Sequence, residues 1–304
     1  MRRGVRHWLG RTFMSLTGLA AVLILAMVGV ILVDVVIGGV GHLSWEFFST
    51  APREGMTAGG IFPALYGTAA LTLLMTLAVM PVGVVTAIYL HEYAPPRSRL
   101  AALVRVAITN LAGVPSIVFG LFGLGFFIHF IGGGLDRMLS APGEVRWGQP
   151  GLLWASLTLA VLTLPVVIVA TEEALRAVPL DHRTASLALG ATKSQTLWRV
   201  VLPGALPGIL TGAVLAISRG AGEVAPILFT GAAYFLPELP NGPTSQFMHL
   251  GYHTYVLATQ SPDVEATRPL LYATVLVLLL LTFSLNLVAV LIRTRTRRRA
   301  QAGH

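Results

Sequence analysis

The chain has 304 residues, 55% hydrophobic and only 11% charged, with a net charge of +8 and a mean hydropathy of +0.75. A soluble domain carries about 25% charged residues, so most of this apolar surface has lipid as its solvent. There is no cysteine, which excludes disulfide frameworks, thiolate metal sites and cysteine nucleophiles.

A helix needs roughly 20 apolar residues to cross a bilayer. Segments of that length fall at about 13–37, 64–90, 106–130, 152–171, 206–229 and 270–292. The expected fold class is therefore all-α and integral to the membrane, a six-helix transmembrane bundle. Residues 1–12 form a short N-terminal segment, 13–292 the membrane domain, and 293–304 a basic tail. Arg2, Arg3 and Arg6 precede the first span as they would a signal peptide. Its apolar core is too long for one and no A-x-A-like site follows, so it is read as an uncleaved span.

The first outer loop, 38–63, carries Trp45, Phe47 and Phe48, residues suited to an interfacial belt, and a Gly/Pro-rich turn from Ala51 to Gly60. After the second span, His91-Glu92 is not completed to H-E-x-x-H. No G-x-S-x-G occurs either, so an intramembrane enzyme lacks its constellation. After the fourth span comes a loop at 172–205 holding the run Thr184 to Pro203, amphipathic and mildly basic between apolar neighbours. It parses as a helix over Ala185–Leu189 and a stop at Gly190, which can take the left-handed conformation. Thr192 with Gln195 is a capping-box pattern for a second helix, and Pro203-Gly204 punctuate before the next span. A loop with two ordered helices implies a partner.

The fifth span repeats small residues every four positions: Gly204, Gly208, Gly212, Ala216 and Gly220. That spacing lets helices approach closely in lipid. Arg219 and Glu223 fall in the same helical sector as the middle of that stripe, on the packed face, and being four apart are expected to pair. Ionisable groups in a span usually face the bundle or a water-filled path. The pair is a candidate for the translocation path, and equally for a structural lock between helices. In the outer loop 230–269, Ser245–Thr259 reads as a short surface helix over the bundle. It is either a docking face for an external partner or a lid over the helix ends. His249 and His253, at i, i+4 without a carboxylate motif, read as surface histidines and not as a metal site.

Charge sets the expected orientation. With the N-terminus in the cytoplasm, most of the 21 basic residues lie inside, including Arg97, Arg99, Arg105, Arg176, Arg183, Lys193 and the tail from Arg293 to Arg299. The outer loops hold only Arg53, Arg137, Arg146 and Arg268. This obeys the positive-inside rule, with both termini cytoplasmic. The tail is a stop signal at anionic headgroups. No aromatic platform accompanies it, so nucleic-acid binding is not expected.

The run from Thr184, with Ala185, Ser186, Gly190 and Leu202-Pro203, resembles the EAA loop of ABC importer permeases. There a coupling helix docks on the ATPase. Thr184 stands where that family usually has Glu. Arg219-Gly-Ala-Gly-Glu-Val-Ala-Pro226 is similar to the R-x-x-G-E-T-A-P stretch of phosphate importer permeases, with Val224 in place of Thr. Gly113–Gly120, Thr171–Pro179 and Gly59–Thr68 are similar to that family too, and the resemblance runs from about residue 40 to 295. It is to the PstA type of the two paired permeases.

The resemblance implies a type I ABC importer permease in the bacterial plasma membrane. Its partners would be a PstC-like permease as heterodimer, a PstB-like ATPase dimer, and a PstS-like binding protein delivering inorganic phosphate. ATP and Mg would be bound by the ATPase, since no G-x-x-x-x-G-K-[ST] occurs here, and the chain itself is read as non-catalytic and cofactor-free. The residues alone also permit a permease for sulfate, molybdate or phosphonate. A secondary transporter would usually show inverted repeats and paired broken spans, and none is evident.

Overall fold

The computed structural model describes the backbone of residues 2–95, 97–141 and 143–302, and side chains between 13 and 295, Pro96 and Pro142 excepted. The side chains of Arg2, Arg3, Arg6, Arg11, Arg297, Arg298 and Arg299, and the whole of His304, lie outside the described residues. Six helices among them are long and apolar enough to span: Phe13–Val40, Phe62–Tyr93, Ser116–Leu139, Leu152–Arg176, Lys193–Gly222 and Val264–Arg295. They are called spans one to six.

Span four is the most enclosed, and spans two and five pack against it. Leu71, Met75 and Val79 of span two meet Leu159 and Val167 of span four and Ala216 of span five in one core. Gly83 allows close approach, since a Cβ there would lie 2.6 Å from Val167 Cγ1. Span one leans on span six. Gly38 faces the Tyr272 ring, with 2.8 Å from an added Cβ to Cγ. The Tyr272 hydroxyl donates to Asp34 Oδ2 at 2.8 Å. Asp34 is thus a carboxylate within a span that has found a partner, as a charge in lipid must. Most of the remaining surface of span one is exposed in the single chain.

Several element boundaries differ from the hydropathy reading; span three runs to Leu139 and not 130, and span six begins at Val264 and not 270. Span three begins at Ser116, not near 106. Residues 99–112 form a separate helix, Arg99–Ala112, with Ser98 Oγ accepting from the Ala101 N–H at 3.2 Å. The reason is Pro115, which lacks an N–H and pushes the residue before it out of helical conformation. Hydropathy alone does not register that break.

Span five starts earlier, at Lys193, and stops earlier, at Gly222. Pro203 does not punctuate it. The helix widens to π-type turns over Leu197–Val201, just ahead of the proline. A change in hydrogen-bond register lets a ring without an N–H join a helix there without ending it.

The segment after Gly222 is non-helical yet buried, with Ile227, Thr230, Phe247 and Met248 almost fully enclosed. Its backbone groups find partners at the start of span four, whose first N–H groups have none within their own helix. Gly151 N–H donates to Thr230 O at 2.9 Å, Leu152 N–H to Ser245 O at 2.9 Å, and Leu153 N–H to Pro243 O at 2.8 Å.

The short helix Leu250–Thr259 follows. It lies over the bundle as expected, with one face enclosed and the other open: Leu250, Gly251, His253, Val256 and Leu257 are buried, while Tyr255 is 42% exposed. Its first N–H, Leu250, donates to Thr68 Oγ1 of span two at 2.9 Å.

Candidate functional site

The loop between spans four and five is shorter than 172–205, because the helices of both spans run into it. Its own helix is Leu180–Ala188. Gly190 ends that helix with φ +85°. The Ala191 N–H reaches back to Ser186 O at 3.2 Å and the Gly190 N–H to Leu187 O at 3.0 Å. This is the paired bond pattern of a left-handed helix stop.

The second helix opens with the expected capping box. Thr192 Oγ1 accepts from the Gln195 N–H at 3.2 Å, and Gln195 Oε1 from the Thr192 N–H at 2.9 Å. Ser186 Oγ and Thr196 Oγ1, 2.9 Å apart, tie the two helices together. Thr184 stays exposed, its hydroxyl donating to Asp181 O at 3.1 Å within its own turn. Ala185 O accepts from the Leu189 N–H at 3.1 Å. Leu202 and Pro203 lie inside span five, away from the turn.

Leu180–Ala188 has no buried residue. Leu180 and Leu187, seven apart and so on one face, are exposed, and Leu189 is 89% exposed. The helix is held on the protein by polar contacts. Arg183 Nη1 lies 2.5 Å from Glu92 Oε1 of span two, and its Nη2 donates to Leu175 O at 2.5 Å. Lys193 Nζ donates to Glu92 O and sits 4.9 Å from the Tyr93 ring centre. Sequence reasoning missed Glu92, treating it only as part of an incomplete zinc-protease motif. No local pattern links it to Arg183, 91 positions away.

The small-residue stripe lies along span four for most of its length. An added Cβ would lie 3.4 Å from Val178 at Gly204, 2.5 Å from Ala174 Cβ at Gly208, and 2.7 Å from Ala170 Cβ at Gly212. Ala216 is fully buried. At Gly220 the neighbour changes to Met75 Sδ of span two, 2.6 Å away.

Arg219 and Glu223 do meet, with Arg219 Nε donating to Glu223 Oε1 at 3.3 Å. They do not share the packed face, however. Glu223 is the residue at which span five has already turned to extended backbone. The Arg219 side chain is 44% exposed and that of Glu223 19%. The pair sits at a broken helix end and is open on the single chain.

His249 and His253 are the other departure. Both are almost fully buried, and none of their ring nitrogens has a hydrogen-bond partner. Burial pushes His249 down to about 3 and His253 down to about 4. The imidazoles are therefore neutral at pH 7. An added Cβ at Gly251 would lie 2.9 Å from Val224 Cγ2 and 3.3 Å from His249 Cε1, which places His249 close to the segment that follows Glu223.

Residues 80–298 match the family described as "Binding-protein-dependent transport system inner membrane component". The chain is 36% identical over 213 residues to the probable ABC transporter permease protein YqgI of Bacillus subtilis, covering 70% of this chain and 67% of that one. It is 40% identical over 171 residues to phosphate transport system permease protein PstA 1 of Mycobacterium tuberculosis, covering 56% and 51%, so it spans about half the length of that relative. The probable PstA protein of Methanocaldococcus jannaschii is 31% identical, with 69% and 68% covered.

Among solved structures, a chain of the bacterial alginate ABC transporter superposes with TM-score 0.58 at 13% identity, over 89% of this chain and 92% of that one. A chain of the inward-facing MetNI methionine transporter gives 0.53 at 19%, over 75% and 94%. These likenesses concern the fold, and it is that of an ABC importer permease. The chain is a multi-pass membrane protein, and it belongs to the binding-protein-dependent transport system inner membrane component family.

Proposed function

We propose that this chain is a permease subunit of an ABC importer for inorganic phosphate. The observation that carries the importer reading is the helix Leu180–Ala188, held by polar contacts and presenting Leu180 and Leu187, with Leu189 just beyond it, outward. Exposed apolar side chains on an ordered loop mark a partner surface. Here the partner is an ATPase dimer of the PstB kind, and the loop residues Thr184, Ala185, Ser186 and Gly190 form its coupling helix. Phosphate is favoured over sulfate, molybdate or phosphonate by the likeness to the phosphate transport permeases of Mycobacterium tuberculosis and Methanocaldococcus jannaschii. A PstC-like permease completes the path and a PstS-like protein delivers the anion from outside. ATP is hydrolysed on the partner and not on this chain.

The positive-inside distribution supports cytoplasmic termini and puts the coupling helix on the ATPase side. ATP binding closes the ATPase dimer, and the coupling helix passes that motion to the spans. Arg219 meets the anion through its fork of donors. Glu223 holds and partly neutralises Arg219, so that phosphate is bound weakly enough to leave.

The experiment is purification in mild detergent with its neighbouring subunits expressed together. An ATPase should copurify in stoichiometric amount and be lost when Leu180, Leu187 and Leu189 are all changed to Asp. Retention of the ATPase by that variant would refute the docking assignment.

A further inference from the structure

The last turn of span two is not an ordinary helix end. Over Tyr89–Tyr93 it widens to a π-type turn, and Tyr89 O accepts from the Ala94 N–H at 2.8 Å. A widened turn and a helix C-terminus both leave carbonyls that attract cations. Three cations from three different elements converge there. Arg105 Nη2, from the helix Arg99–Ala112, donates to Leu90 O at 3.0 Å. Lys193, at the start of span five, donates to Glu92 O. Arg183, from the coupling helix, takes the Glu92 carboxylate, which also lies 3.3 Å from His91 Nδ1.

Arg183 and Glu92 are the enclosed members, with side chains only 15% and 11% exposed. Arg105 is 47% exposed and spends its Nη1 on Glu172 of span four, 2.8 Å from Oε1. The coupling helix has no buried residue; beside the Ser186–Thr196 contact with span five, what fastens it to the membrane domain is Arg183. It fastens it to span two and to the end of span four, through Leu175 O. Span two then runs from Glu92 up to Met75, whose sulfur meets Gly220, the neighbour of Arg219.

We propose that the Glu92–Arg183 pair is the positioning contact that carries movement of the coupling helix into span two, and through Met75 against Gly220 to the Arg219 end of span five. This rests on the importer reading given above. The physical requirement is a stiff chain of contacts between two sites. Here it consists of one enclosed ion pair, about five turns of helix and one close contact. A purely structural pair would affect how much complex assembles. A transmitting pair affects how much substrate moves per ATP.

The test uses the whole transporter reconstituted in vesicles, with phosphate uptake and ATP hydrolysis measured on the same preparation. Arg183→Ala and Glu92→Gln should keep the ATPase bound and hydrolysing, while phosphate moved per ATP falls roughly 5–150-fold, the usual range of an allosteric coupling. Arg183→Lys should be intermediate, because one ammonium cannot hold Glu92 and Leu175 O together as a guanidinium does. An unchanged ratio in both variants, or uptake and hydrolysis falling in proportion, overturns the clamp. Where Arg183→Ala fails to assemble, Glu92→Gln decides alone, since it keeps the shape and removes only the charge. A wild-type complex without ATP-driven uptake overturns the importer reading and the clamp together. A working wild type beside variants of unchanged ratio overturns the clamp only.

Discussion

Arg219 Nε lies 3.3 Å from Glu223 Oε1 across the end of span five, with the last helical residue, Gly222, between them in sequence. An ion pair this open contributes only about 0–1 kcal/mol to stability. If the pair were only structural, exchanging its members would be tolerated, because attraction is symmetric. If Arg219 meets the anion, exchange puts a carboxylate where phosphate passes. The expected result for Arg219→Glu with Glu223→Arg is normal assembly and at least about a tenfold loss of uptake, on the scale of one lost charge contact. Arg219→Lys should keep part of the activity, since a point charge replaces a fork. Uptake normalised to assembled complex is the readout, and full uptake by the exchanged variant would leave only the structural role.

Gly190 is needed for its backbone and not for space. Its φ is +85° and nothing lies within 4 Å of an added Cβ. A β-branched residue there is strained, and left-handed backbone costs an ordinary residue about 1–2 kcal/mol. Gly190→Val should loosen the turn between Leu180–Ala188 and Lys193, leaving insertion intact and uptake uncoupled from hydrolysis. Gly190→Asn should be milder, because Asn tolerates this region. Equal and normal ATP-driven uptake by both variants would contradict the coupling role.

His249 and His253 give a pH dependence whose sign follows from burial. Their folded values, about 3 and about 4, lie below the ordinary value of 6.5. Between these limits the unfolded chain binds protons that the folded chain does not. Stability therefore rises with pH in this window. It is fully present above about pH 6.5 and is lost progressively as pH falls toward 4. Thermal unfolding in detergent at pH 7.5 and pH 5 should show a lower midpoint at pH 5. The difference should shrink in His249→Leu with His253→Leu. An unchanged difference in the double variant would place the acid sensitivity elsewhere.

The six spans were legible in the sequence because lipid demands long apolar runs, and composition alone reveals them. The turn at Gly190 and the capping box at Thr192 were legible because they rest on local backbone chemistry. The breaks at Pro115 and after Gly222 were not, because apolar residues continue through both. The enclosure of His249 and His253 was hidden as well. The segment that leads into them is irregular, and its neighbours Met248, Leu250, Val256 and Leu257 are buried against Leu270, Ala273 and Val277 of span six. The Glu92–Arg183 pair is of the same kind. Its partners are far apart in sequence, and only the return of the loop to the end of span two joins them.

Orientation is checked separately. A reporter fused in the loop near Arg97, or after His304, should be cytoplasmic, and one placed near Asn241 should be external. An external reporter near Arg97 would remove the coupling helix from the ATPase side, and with it the docking assignment.

We propose ATP-driven phosphate import through this chain. Its most direct measurement is uptake of labelled phosphate into vesicles carrying the whole complex, with ATP supplied on the coupling-helix side and the binding protein on the other. Uptake should need ATP and the binding protein, resist displacement by excess sulfate or molybdate, and fall at least about tenfold when Arg219 is replaced by Glu. ATP-dependent uptake of sulfate or molybdate in place of phosphate would contradict the substrate. Phosphate uptake that proceeds without ATP would contradict the importer itself.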